Sequence, residues 1–176
     1  MTRVVAGVAG GRRLQVPPGR ATRPTAERVR EALFSSLGDL SGLRVLDLYA
    51  GTGAVGLEAL SRGAAEAMLV ERDARAVQVL RANAAALSLP GARIRAIGVE
   101  RLLAEPPPDG PYDVVFLDPP YALALAPVLA QVSRWVARRV VVERATRDGE
   151  PPWPRDIECE RSRRYGDSTL WYGRRS

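Results

Sequence analysis

The sequence predicts an α/β domain built on a parallel sheet, preceded by a basic N-terminal extension. Three observations predict it. From Arg44 onward, short apolar runs of strand length alternate with stretches of helical length, the pattern of a sheet wound on both faces. A glycine-rich segment, Gly51-Thr52-Gly53-Ala54-Val55-Gly56, follows the first of these strands and opens a helix. The chain has 176 residues, 46% of them hydrophobic, which suits one domain with a real core and no need of disulfides or a structural metal.

The elements follow in order. Arg3–Val5 and Arg13–Val16 flank a turn at Ala9-Gly10-Gly11, and Pro17-Pro18 ends what reads as a small hairpin. Thr25 reads as a helix cap with Glu27 well placed near the helix start. Val29, Leu33 and Leu37 recur every four residues, and Gly38 closes the helix. Candidate strands are Val45–Tyr49, Ala67–Glu71, Arg93–Ile97, Asp113–Leu117 and Val140–Glu143. Candidate helices are Ala54–Arg62, Asp73–Leu87 and a stretch after Tyr121. Ile157–Arg163 and Thr169–Tyr172 flank Tyr165-Gly166-Asp167 as a final hairpin. Residues 1–38 thus form the extension and residues 39–176 the α/β domain.

Composition narrows the chemistry. There is no histidine and no lysine; all 26 basic residues are arginine. Schiff-base chemistry, the phosphate-loop lysine and the usual general base are excluded together. Cys159 is the one cysteine, so no internal disulfide or cysteine-rich metal site is expected, and it reads as a small core residue. The net charge of +6 is segregated: residues 1–30 hold seven arginines against Glu27, and residues 161–176 hold five against Asp167. Residues 31–160 hold 14 arginines and 18 acids. An acidic body with basic ends suggests a polyanionic partner held by the termini. No segment is long and apolar enough to span a membrane, and the unpaired cysteine points to the cytoplasm. A monomer is the default expectation.

The glycine loop fits two cofactor classes. Gly51, Gly53 and Gly56 satisfy the dinucleotide spacing, and Glu71 ends the next strand 20 residues after Gly51. Asp47 argues against a dinucleotide, because a carboxylate beside the loop would repel a pyrophosphate. It would welcome the cationic amino-acid end of S-adenosylmethionine, while Glu71 would accept the ribose hydroxyls.

Asp118-Pro119-Pro120-Tyr121 directly follows the apolar strand Val114–Leu117. In an open α/β sheet such a loop faces the ligand, and two prolines stiffen it. The tetrapeptide resembles the motif of enzymes that methylate exocyclic amines of bases. Asp118 and the Pro119 carbonyl would accept the two amine hydrogens, freeing the nitrogen lone pair, and Tyr121 would stack on the base for roughly 1–3 kcal/mol.

Four blocks carry a closer match over nearly the whole chain. They are Arg23-Pro24-Thr25 with Arg28–Phe34, Ala50–Ala54 with Gly56–Gly63, Asp118–Tyr121, and Tyr165-Gly166-Asp167-Ser168. Together they resemble the bacterial RsmD family of 16S ribosomal RNA guanine-N2 methyltransferases, which act on guanine-966 of the small subunit. The resemblance implies a Rossmann-like S-adenosylmethionine-dependent methyltransferase fold with a seven-stranded, mostly parallel sheet. It also implies that the N-terminal hairpin and helix hold RNA, for which Arg12, Arg13, Arg20, Arg23, Arg28 and Arg30 are the candidates. Asp47, Tyr49, Ala50, Gly51, Gly53, Glu71, Arg72, Gly98 and Val99 form the candidate cofactor set, and Asp118, Pro119, Pro120 and Tyr121 the catalytic one. No metal is expected.

Two positions depart from the family pattern. Gly10 stands where the hairpin usually carries an arginine, and Gly98 where an Asp or Asn usually reads the adenine amino group. Either a backbone group at Gly98 or Val99 substitutes, or cofactor affinity is lower. The competing readings are a DNA adenine-N6 methyltransferase with the same tetrapeptide, a non-catalytic RNA-binding assembly factor and, more distantly, a nicotinamide dehydrogenase.

Overall fold

The computed structural model describes residues 2–18 and 24–176. Seven strands form one sheet in the order β5-β4-β3-β6-β7-β9-β8. β3 (Arg44–Asp47), β4 (Glu66–Glu71), β5 (Ala92–Ala96), β6 (Tyr112–Leu117) and β7 (Val136–Ala145) run parallel. β9 (Ser168–Arg175) is antiparallel to β7, and β8 (Ile157–Tyr165) is antiparallel to β9. The fold is therefore the expected α/β architecture. The chain leaves β3 toward β4 and β5, then returns to pair β6 on β3's other side. That reversal places a topological switch point between β3 and β6, where open α/β sheets bind ligands.

The sheet is covered on both faces because its central strands are apolar on both sides. One face packs Val45, Phe116, Val141 and Leu170 against α1 (Pro24–Leu37), α2 (Ala54–Ser61) and α3 (Ala74–Leu87). The other packs Leu46, Val115, Leu117 and Val142 against α4 (Val99–Leu103) and α5 (Leu125–Val132). The sequence pattern did not reveal α4, whose single turn is too short for periodicity to register. It also placed Thr25 as a cap. The helix instead begins at Pro24, a position where proline's missing N–H costs nothing.

The N-terminal hairpin, β1 (Thr2–Arg3) with β2 (Arg13–Leu14), is fastened to the sheet domain through polar groups on α2 and α3. The Glu58 carboxylate, fully buried, accepts the Val5 and Ala6 amides at 2.7 and 3.0 Å. Ser61 Oγ accepts the Ala9 amide and donates to the Ala6 carbonyl. Asn83 accepts the Gln15 amide and donates to the carbonyls of Gln15 and Thr52, tying extension to glycine loop. Val4 and Leu14 enter the same apolar cluster as α1 and α2. Extension and sheet share one core.

Candidate methyl-transfer site

The site forms where β3, β4, β6 and β7 end. Asp47 ends β3 and is only 1% exposed; its Oδ2 accepts the Gly56 amide at 3.1 Å. Burial, with Glu71 nearby, pushes its carboxyl up to about 7 against the Gly56 hydrogen bond. Asp47 thereby fastens the end of β3 to α2.

The glycine loop turns because Gly51 and Gly53 take φ of +56° and +93°. At Gly53 a Cβ would lie 2.4 Å from Leu80 Cδ1, so a side chain there would have to displace Leu80 as well as strain the backbone. Gly51 has open space in the corresponding direction. Ala50 is buried and its amide donates to the Val70 carbonyl at 2.9 Å. Tyr49 is half-buried with its hydroxyl lacking a hydrogen-bond partner. Burial, then the nearby Glu100, drives its phenol above the usual range.

Glu71 ends β4 half-buried. It accepts the amides of Gly51 (2.9 Å), Arg72 (2.8 Å) and Asp73 (2.8 Å). A carboxylate offers about four acceptor positions, so capacity remains for about one further donor, fewer than the two ribose hydroxyls expected. Arg72 is exposed. Gly98 caps α4, and Val99 buries its side chain in the core, offering only its backbone to a ligand. A Cβ at Gly98 would meet only Glu100 Oε2, at 3.6 Å. The Glu100 carboxylate therefore lies beside the space that an Asp or Asn there would enter.

Asp118 follows β6 at the mouth of the cleft, open to solvent yet crowded by protein on most sides. That crowding, with the charges of Glu143 and Asp47, holds its carboxyl well above the usual range. Pro119 is half-buried, Pro120 exposed, and the Leu123 amide closes a turn on the Pro120 carbonyl at 3.0 Å. Tyr121 is 83% exposed, and the Arg147 guanidinium lies 5.9 Å from its ring centre. Apart from Arg147, this large aromatic ring is held in solvent beside a rigid loop.

The arginine set divides. Arg30 is 6% exposed, 3.7 Å from Glu58 and bonded to the Arg3 carbonyl. It is a core buttress, which corrects its assignment to RNA. Arg12 bonds the Ala86 and Leu87 carbonyls at the end of α3, where a cation suits the helix dipole. Arg13 and Arg28 are exposed, and Arg20 and Arg23 lie outside the described residues. Cys159 is exposed, not a core residue.

Some residues that sequence reasoning left out stand close to the catalytic edge. Glu143 ends the predicted strand Val140–Glu143 just as Asp47, Glu71 and Asp118 end or follow theirs. That shared position was the signal available. Arg163 and Arg164 pair with Leu170 and Thr169 near the same edge. Arg161 instead bonds the Ser36 carbonyl and hydroxyl at 2.9 and 2.8 Å, clamping α1 to the terminal hairpin.

Comparison with known proteins bears on the family and the fold. The family described as Conserved hypothetical protein 95 matches residues 2–174. Ribosomal RNA small subunit methyltransferase D of Escherichia coli K12 is 36% identical over 167 residues, covering 92% of this chain and 83% of that protein. The same-named protein of Haemophilus influenzae is 37% identical over 127 residues, 70% of this chain and 66% of its own. Among solved structures, E. coli yhhF superposes with a TM-score of 0.89 at 33% identity, covering 99% of this chain and 97% of that one. Thermus thermophilus TTHA0928 gives 0.81 at 35% identity, over 98% of each. The chain therefore belongs to the Conserved hypothetical protein 95 family, the family of ribosomal RNA small subunit methyltransferase D.

Proposed function

We propose that this protein transfers a methyl group from S-adenosylmethionine to the exocyclic N2 of a guanine in small-subunit ribosomal RNA, with guanine-966 as the target. The observation that carries the reading is the Asp118–Tyr121 loop at the switch point, one strand from Asp47 and beside the glycine loop. The matched relatives are methyltransferases of ribosomal RNA by name.

S-adenosylmethionine supplies an electrophilic methyl group on a sulfonium centre. The residues present suit it. The Gly51–Gly53 backbone allows close approach, Glu71 retains acceptor capacity for a ribose hydroxyl, and the Tyr49 hydroxyl is without a partner. Asp47 and Asp118 give the cleft negative potential, which suits a cation and disfavours a pyrophosphate.

An exocyclic amine is a poor nucleophile because its lone pair is delocalised into the ring. Asp118 accepts one N–H and the Pro119 carbonyl the other, drawing the nitrogen toward tetrahedral geometry. The prolines hold both acceptors rigid, and Tyr121 stacks on the extruded base. Alignment of this kind lowers a barrier by up to roughly 7–11 kcal/mol. Arg13 and Arg28, with Arg20 and Arg23, hold the RNA backbone.

The test is incubation with methyl-labelled S-adenosylmethionine and unmodified small subunits, naked 16S RNA or DNA, followed by nucleoside mass spectrometry. N2-methylguanosine from RNA is the expected product. Label only in DNA, or bound cofactor with no transfer to any substrate, overturns the proposal.

A further inference from the structure

The catalytic loop has a neighbour with no role so far. β6 and β7 are parallel and in register at Leu117 and Val142, so the next residues, Asp118 and Glu143, lie side by side, with backbones about 4.8 Å apart. Register partners share a face. Phe116 and Val141, two residues back, point into the cluster beneath α1, so Asp118 and Glu143 stand on that face too. Asp47 pairs with Phe116 and joins them from β3. From β9, Ser168 Oγ donates to Glu143 Oε1 at 2.8 Å. Among the described residues, no arginine lies within salt-bridge distance of any of the three carboxyls. Arg144, next to Glu143, reaches the Glu150 carbonyl instead.

We propose that Glu143, held by Ser168, is a positioning residue that makes Asp118 the acceptor of the proton released during methyl transfer. The inference rests on the amine-methylation reading. As the N2–C bond forms, the C–S bond breaks with its electron pair remaining on sulfur. The nitrogen becomes cationic and passes one proton to Asp118 Oδ, which returns it to solvent. A base takes a proton in the transition state most effectively when its pKa lies near the working pH. A second carboxylate alongside disfavours the charged form of Asp118 and strengthens it as a base. The Ser168 hydroxyl favours the anion on Glu143, so of the two carboxylates Asp118 is the one that takes the released proton. Burial raises both groups; at Asp118 the charges of Glu143 and Asp47 add to it, and at Glu143 the Ser168 bond opposes it. This gives the Tyr165–Ser168 turn a task at the active site.

The test is a carbon-13 NMR titration of the Asp118 carboxyl in the intact protein, assigned by its loss in Asp118→Asn, beside the pH profile of kcat. Glu143→Gln lowers the Asp118 midpoint by about one unit or more. The acid limb of kcat moves down by the same amount and the plateau falls, with KM for RNA and cofactor Kd within twofold of the wild type. Glu143→Asp restores part of the shift. Ser168→Ala, the milder variant, gives a smaller shift in the same direction. An Asp118 midpoint unmoved in folded Glu143→Gln, or unmoved in Ser168→Ala should the first variant not fold, overturns the inference. The titration reads the pair whatever the enzyme methylates. Failure of the wild type to form methylguanosine counts against the proposed function alone.

Discussion

The two ends of the parallel strands treat charge in opposite ways. At their amino ends charges are matched. Arg44 lies 3.3 Å from Glu66, Arg93 3.2 Å from Asp109, Arg138 3.2 Å from Asp113, and Arg139 3.1 Å from Glu160. At the carboxyl ends Asp47, Asp118 and Glu143 share one face, and no arginine of the described residues pairs with them. Unpaired carboxylates crowded together oppose folding, and their cost is tolerated where a cationic ligand or a proton must be received. One end of the sheet pairs its charges and the other leaves them crowded together.

The sharpest way to test that division is at Glu58, where stability reaches the N-terminal extension. Glu58→Ala removes the acceptor for two hairpin amides and strands the buried Arg30. Chemical denaturation should show a loss of about 3–5 kcal/mol. Next in size is the catalytic end. Asp118→Ala should cost roughly 2.7–4 kcal/mol of transition-state stabilisation, read as kcat, while cofactor binding measured by calorimetry stays within about twofold.

Asp47 links the two ends through pH. Its proton is held more tightly in the folded chain, with a pKa of about 7, than in the unfolded one. Its stabilising contribution is therefore full below the unfolded value and is lost as pH rises toward 7. Thermal melts of the ligand-free protein between pH 5 and pH 8 should show a decline that Asp47→Asn lessens. The smallest effect is expected at the amino ends. Arg138→Ala removes a largely exposed partner from Asp113 and should change stability by less than about 1 kcal/mol, without changing kcat.

The sheet was legible because buried parallel strands are continuous apolar runs, and every predicted strand is present within a few residues. The loop after β6 was legible as a candidate because Asp118-Pro119-Pro120-Tyr121 is contiguous. What sequence could not supply was the cross-strand register that sets Glu143 beside Asp118, and the long-range bonds that remove Arg30 from the surface. An arginine in a basic segment reads as an RNA contact until its partner, here Glu58 from another helix, is in view. Asp47 shows the same limit. Its place at a strand end was correctly read, but its burial under the loop depends on the Gly56 amide, nine residues away.

The decisive measurement is the single-turnover rate of N2-methylguanosine formation in small-subunit RNA by wild type and Asp118→Ala, with cofactor saturating. Methylation by the wild type is expected, with a rate lower by roughly 10²–10³ in the variant. Equal rates, or a methyl group on any other atom, would contradict the proposed mechanism.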